Sequence, residues 1–271
     1  MNGLLKPKII GIVNITEDSF SDGGKFLEPE AAVRQAAKLI EDGADIIELG
    51  PASSHPDSTH VSAEEEISRL RSVIDKIEAM NVPISIDSFQ IETMRFGLQH
   101  KAAFLNDTAG FADKAIYPGL AQADCSLIIV HSIHEGGMAA RAEYSADVIM
   151  DRIFTFFDNR LRQLEAAGIQ SKKFILDPGM GFFIGSTPEP SIEVLRNIKQ
   201  LRRKFGLPLC ISVSRKSFLQ KIVEKDAGGA TAATLAAEIY ASLQGAEYIR
   251  THDAGAIVDA LKVLARLWEI D

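Results

Sequence analysis

The chain has 271 residues, 46% hydrophobic and 24% charged, with a formal net charge of −8. That length suits one barrel-sized domain with a large core, and no apolar stretch nears the roughly 18 residues of a membrane span. The negative balance argues against a long nucleic-acid groove, although it leaves room for a local cationic pocket that takes a small anion.

Residues 1–8 run straight into the first apolar segment without the basic, apolar and small-residue succession of a secretory signal, so the expected location is cytoplasmic, with no membrane contact. Short apolar runs then recur at residues 9–13, 46–49, 84–86, 102–105, 127–130, 174–176, 209–213 and 248–249. Each ends on a polar or glycine tip, and a helix-patterned stretch follows. Val33, Ala36, Ala37 and Ile40 have helical spacing, closed by Gly43. Ser62 and Glu65 form a capping box ahead of Ile67, Leu70, Ile74 and Ile77. Residues 147–167 read as the fifth helix, and residues 222–243 as two helical pieces parted by Gly228 and Gly229. This rhythm predicts an α/β fold, a (β/α)8 TIM barrel in which residues 1–271 form a single domain.

In such a barrel the strand ends meet at one mouth, which would gather Asn14, Gly50, Asp87, Asn106, His131, Asp177, Lys216 and His252. Two connections, residues 14–27 and 50–61, are longer than a βα turn requires and read as functional loops. Asp87, Asn106 and Asp177 could each cap a helix or close a turn. Together at one level they match the donor edge of a flat, nitrogen-rich heterocycle such as a pterin. Ser214, Arg215, Lys216 and Ser217 after the seventh run, with Arg250 and His252 at the eighth, fall where barrels of this type bind phosphate.

Other features read as structural. His131 and His134 have an HxxH look without the further ligands of a zinc site. Gly179, Gly181 and Gly185 do not open a helix after the first strand, so they are no dinucleotide fingerprint. Cys125 and Cys210 sit at or beside apolar runs, as buried inert thiols do. No serine or cysteine has a paired base, which disfavours a covalent acyl mechanism.

The segment Gly11, Ile12, Val13, Asn14, Ile15, Thr16, Glu17, Asp18, Ser19, Phe20, Ser21, Asp22, Gly23, Gly24 resembles the first signature of the dihydropteroate synthase family. Leu105 to Asp107, Leu176 to Gly179, Ser214 to Ser217 and Ile249 to Asp253 extend the resemblance over essentially the whole chain. It implies condensation of 6-hydroxymethyl-7,8-dihydropterin pyrophosphate with 4-aminobenzoate, giving 7,8-dihydropteroate and pyrophosphate. Asp87, Asn106, Asp177 and Lys216 would hold the pterin. Asn14, His55, Arg250 and His252 would bind the pyrophosphate, with Asn14 coordinating a Mg2+ carried with it. Ser54, Pro56, Phe182, Lys216 and Ser217 would surround the aminobenzoate. The implied chemistry is dissociative, so Asp177, Asp107, Lys216, Arg250 and His252 would act by charge stabilisation. The resemblance also implies a homodimer packed through late helices.

Departures from the family pattern fall at His55 where an arginine is usual, at Glu48 for an aspartate and at Ser212 for a glycine. Phe182, Phe183, Ile184, Gly185 and Ser186 replace a run about two residues shorter. This pattern resembles the sulfonamide-resistant, Sul-type branch, with Phe183 and Ile184 as candidates for discriminating drug from substrate. A pterin-binding methyltransferase would share the pocket but not need residues 14–24 or 214–217; a non-catalytic pterin-binding protein is the other alternative.

Overall fold

A computed structural model of the chain describes residues 6–16, 29–134, 136–139, 141 and 144–268. The elements run β1 (Lys8–Asn14), α1 (Pro29–Glu41), β2 (Ile46–Gly50), α2 (Ala63–Arg71), α3 (Ile74–Glu78), β3 (Ile84–Asp87), α4 (Ile91–Gln99), β4 (Phe104–Asp107), α5 (Tyr117–Gln122) and β5 (Ser126–Val130). They continue with α6 (Ala146–Ala166), β6 (Phe174–Asp177), α7 (Pro188–Arg196), α8 (Ile198–Phe205), β7 (Cys210–Ile211), α9 (Ser217–Val223), α10 (Thr231–Leu243), β8 (Tyr248–Thr251) and α11 (Ala254–Leu267). All eight strands are parallel in the order β6-β5-β4-β3-β2-β1-β8-β7. The ring closes through a bridge between Leu176 and Leu209, next to a donation from Leu176 N–H to Pro208 O at 2.9 Å. The expected (β/α)8 barrel is what forms.

Local details shift the predicted boundaries. The buried face of α1 is Ala32, Ala36 and Leu39, with Val33 and Ile40 at its edges and Ala37 exposed. Gly11 explains the close approach, because a Cβ there would lie 3.1 Å from Leu39 Cδ1. The Ser62 cap holds, accepting from Glu65 N–H at 3.2 Å, but the Glu65 carboxylate takes Arg69 Nη2 at 2.6 Å, so the box is one-sided. The helix then breaks between α2 and α3, where the Ser72 hydroxyl donates to Arg69 O at 2.6 Å and competes with the helical ladder. Gly228 and Gly229 do separate α9 from α10. Most of the connection after β1, residues 17–28, lies outside the described residues.

Candidate active site

Period-two alternation decides what enters the barrel. Ile46, Phe104, Ile175 and Cys210 belong to an apolar plug with Tyr248 packed on it. Two residues later on the same strands, and so on the same face, come Glu48, Asn106, Asp177, Ser212 and Arg250. A polar layer therefore lies one step above the plug, toward the mouth.

Glu48, fully buried, ties this layer together. Its Oε2 accepts from Ser85 Oγ and from Asn106 Nδ2, both at 3.1 Å, and its Oε1 accepts from Arg250 Nε. Arg250 Nη2 donates to Asp87 Oδ2 at 2.6 Å, and Nη1 to Ser212 Oγ at 3.3 Å. Sequence reasoning noted Glu48 and Ser212 only as departures from a pattern. Both prove to grip Arg250, and the signal was available in the alternation that places Glu48 above Ile46.

The commitment of Asn106 Nδ2 to Glu48 fixes the amide, leaving Oδ1 buried without a partner. Asp87 stands beside it in register. Burial pushes the Asp87 carboxyl up, against the pull of Arg250. Across the mouth, Asp177 Oδ1 accepts from Gly179 N–H at 2.8 Å. Burial raises the Asp177 carboxyl also, opposed mainly by Lys216. Lys216 Nζ donates to Met180 O at 3.1 Å and lies 4.9 Å from the Phe183 ring centroid, while burial lowers its ammonium to about 8. His252 Nδ1 is 3.0 Å from Ser214 Oγ, and burial with nearby cations depresses the imidazole to about 3, so it is neutral.

Asp107 requires a correction. Its two carboxylate oxygens accept from Ala109 N–H at 2.7 Å and Phe111 N–H at 2.6 Å, closing the turn after β4. Because Asn106 faces inward, its neighbour faces the outer helices, and Arg160 is the cation that acts on Asp107. It is a turn residue on the outer side of the wall. Ile184 is also displaced from its expected place, being wholly buried in the core. Phe183 is buried beneath Lys216, whereas Phe182 is half-exposed.

Phe182 joins three loops. His55 packs edge-on against its ring at 5.4 Å between centroids, and the Arg141 guanidinium lies 5.8 Å from it. Arg141 also pairs with Asp57, and Ala139 N–H donates to Ser54 O at 3.1 Å, so the segment after β5 fastens the loop carrying Ser54, His55 and Pro56. Ser217 opens α9 beside Lys216.

His131 and His134 form no metal centre. Neutral His131, its pKa lowered by burial to about 4, lies with Nδ1 3.0 Å from Pro178 O. Among the described residues, Asp75, Glu78 and His100 alone approach ligand spacing, and they lie at the end of the barrel opposite the mouth. Asn14 closes β1 above Gly50, where a Cβ would stand 3.2 Å from its Oδ1. One neutral amide oxygen fits a Mg2+ that arrives with a diphosphate, rather than one caged by protein. Cys125 and Cys210 are free and buried, with thiols raised by burial, Cys125 to about 12.

The barrel, its polar layer and the cationic rim define a protein built to hold a flat heterocycle beside an anion, and residues 10–252 match the family described as "Pterin binding enzyme". The chain is 50% identical over 261 residues to dihydropteroate synthase type-2 of Escherichia coli, covering 96% of each chain. It is 47% identical to dihydropteroate synthase type-3 of the same organism, over 94% of this chain and 97% of that relative. The crystal structure of Xanthomonas albilineans dihydropteroate synthase with 4-aminobenzoic acid superposes with a TM-score of 0.89 at 31% identity, covering 99% of this chain and 95% of the other. The chain belongs to the dihydropteroate synthase family, the transferases of folate biosynthesis.

Proposed function

We propose that the layer above the plug holds 6-hydroxymethyl-7,8-dihydropterin pyrophosphate and that 4-aminobenzoate displaces pyrophosphate from it, forming 7,8-dihydropteroate. The observation that carries this reading is the fixed Asn106 amide. Its buried, unpartnered Oδ1 can accept from a ligand N–H, beside the Asp87 carboxylate in register with it. Asp177 and Lys216 complete the cradle from the opposite wall. As the C–O bond breaks, its electron pair leaves with the pyrophosphate, toward Arg250 and the neutral His252. The arylamine nitrogen then forms the C–N bond and releases a proton. Asp177 stabilises the positive charge spread over the pterin in between. A Mg2+ held by the diphosphate and by Asn14 would neutralise charge on the leaving group. Ser54, Pro56, Phe182 and Ser217 would border the aminobenzoate, with His55 acting through Phe182.

The decisive assay is Mg2+-dependent pyrophosphate release that requires 4-aminobenzoate, run across a sulfonamide titration. Turnover that persists at high drug supports both synthase activity and insensitivity; release that the drug readily abolishes removes the insensitivity. No release leaves the methyltransferase and binding-protein readings.

The insensitivity assigned to residues 182–185 belongs to this proposal. Sulfonamides carry bulk beyond the sulfonyl group, so a ring at the mouth can reject them and spare the smaller substrate. Phe182, half-exposed between His55 and Arg141, is better placed for this than buried Phe183 or Ile184.

A homodimer through the late helices is part of the same reading. Val263 and Leu267, one turn apart on α11, are 59% and 71% exposed, with Trp268 and, on α10, Tyr240 also exposed. Such an apolar surface calls for a covering partner. Light scattering should give a dimer for the parent and a monomer for a Val263→Asp, Leu267→Glu variant. Among the described residues no helix is long and apolar enough to cross a membrane.

A further inference from the structure

Three glutamates in a row, Glu64, Glu65 and Glu66, open α2, and only the last turns inward. Glu64 and Glu65 stand in solvent, whereas Glu66 is 1% exposed and shares with Leu70 the buried face of the helix. An apolar side chain would sit there at less cost, because a buried carboxyl needs a partner. The partner is Ser88, whose hydroxyl donates to Glu66 Oε2 at 2.6 Å.

Ser88 follows Asp87, and a one-residue step puts the two side chains on opposite faces of the same backbone. Asp87 reaches inward to Arg250, and Ser88 outward to α2. The Ser88 N–H donates to Asn106 O at 3.0 Å, which ties the turn after β3 to the backbone of Asn106. Ser88 Oγ also accepts from Gln90 N–H at 3.0 Å, closing the turn into α4, and Gln90 Nε2 donates to Val61 O at 3.0 Å.

We propose that Glu66 is a positioning residue: it grips Ser88 from outside the barrel wall and so holds Asp87 and Asn106 at the spacing that a flat heterocycle requires. The argument is one of opposed pulls. Arg250 draws the Asp87 carboxylate toward β8 through a hydrogen bond of 2.6 Å. On the other side of the same stretch of backbone, Glu66 and Asn106 O hold Ser88 back. With the outer grip gone, the turn is free to follow Arg250, and the Asp87 carboxylate leaves its place beside Asn106 Oδ1. A binding group is only as precise as the groups that hold it. The functional half of this inference rests on the proposed pterin roles of Asp87 and Asn106; the grip itself rests on the hydrogen bonds alone.

The test joins a ligand-free measurement to a binding measurement on the full-length protein. Glu66→Ala and Ser88→Ala remove the bond from its two ends, while Glu66→Gln keeps an acceptor oxygen for the Ser88 hydroxyl. Amide hydrogen exchange should show lost protection at residue 88 in both Ala variants and parent-like protection in Glu66→Gln. Fluorescence titration with 6-hydroxymethylpterin should give a dissociation constant roughly tenfold above that of the parent in both Ala variants, the scale on which one buried hydrogen bond acts. Glu66→Gln should bind as the parent does. In turnover, KM for dihydropterin pyrophosphate should rise while KM for 4-aminobenzoate stays unchanged. Gln90→Ala, which removes only the contact with Val61 O, should leave pterin affinity unchanged and so separates a grip on Asp87 from general loosening. Pterin affinity equal to that of the parent in the folded Ala variants would overturn the proposal, whatever the exchange shows. Lost protection in those variants, with a parent that binds no pterin, would uphold the grip and overturn the reading of Asp87 as a pterin residue.

Discussion

Arg250 Nη2 lies 2.6 Å from Asp87 Oδ2 across 163 residues of sequence, while the same guanidinium is held from below by Glu48. A rim cation is thus fixed on one fully buried and one half-buried carboxylate before any ligand arrives. Preorganisation of this kind lets a group assist a departing charge without first reorganising.

Glu48 is the residue on which that arrangement depends. Glu48→Ala leaves Arg250, whose side chain is only 17% exposed, without its deeper counter-charge and strands Asn106 Nδ2 and Ser85 Oγ. Breaking a buried pair on one side costs about 3–5 kcal/mol. Glu48→Gln keeps an acceptor and should cost about half as much. Urea denaturation at pH 7 ranks the two, and equal stability of parent and Ala variant would show that Glu48 does not brace the layer.

Asp177 faces the pocket from the opposite side. Asp177→Asn can still accept from Gly179 N–H through its amide oxygen, so circular dichroism and melting should stay close to the parent. The negative charge beside the proposed pterin site is lost, and turnover should fall by roughly 100-fold, the scale on which one preorganised electrostatic partner acts. Unchanged turnover would remove Asp177 from the mechanism.

The sequence made the barrel legible because each parallel strand is buried on both faces and reads as a short apolar run. It placed Asp87, Asn106, Asp177, Lys216 and Arg250 at the mouth for the same reason. Side-chain direction was harder to see. Asp107 looked equivalent to Asn106 because they are adjacent, yet a one-residue step reverses the face. Only counting from the plug upward separates them. Glu48 was missed because the alternation that sets it above Ile46 has to be counted from the plug, and its partner Arg250 lies 202 residues away. The break at Ser72 carried no glycine or proline to mark it.

Lys216 should give the proposed reaction an alkaline limit. Its pKa is lowered from 10.5 to about 8, so between about pH 8 and 10.5 the unfolded chain binds more protons at this residue than the folded one. The contribution of Lys216 to stability therefore rises with pH through that window, because burying the charged form ceases to cost anything. Function should move the other way. Above about pH 8 the mouth loses a cation, so kcat/KM for dihydropterin pyrophosphate should decline with an apparent pKa near 8. Lys216→Arg, which stays charged, should lack that limb whatever its absolute rate. A profile that stays flat to pH 9.5 in the parent would show that the Lys216 charge is not used.

The last prediction separates two adjacent rings. Phe183 is buried and supports Lys216, so Phe183→Ala should cost about 3–5 kcal/mol and disturb the pocket for substrate and drug alike. Phe182 is half-exposed, and its contacts at this point are with His55 and Arg141, both on loops over the mouth. Phe182→Ala should therefore leave the melting temperature and kcat/KM for 4-aminobenzoate nearly unchanged while lowering the inhibition constant of a sulfonamide by roughly tenfold, equivalent to about 1.4 kcal/mol of discrimination. Arg141→Ala should move the same constant part of the way, because it frees the ring without removing it. Deleting two residues within 182–185 should also restore sensitivity. If Phe182→Ala remains active and as insensitive as the parent, the ring at the mouth is not what excludes the drug, and the packing of Phe183 against Lys216 becomes the place to look.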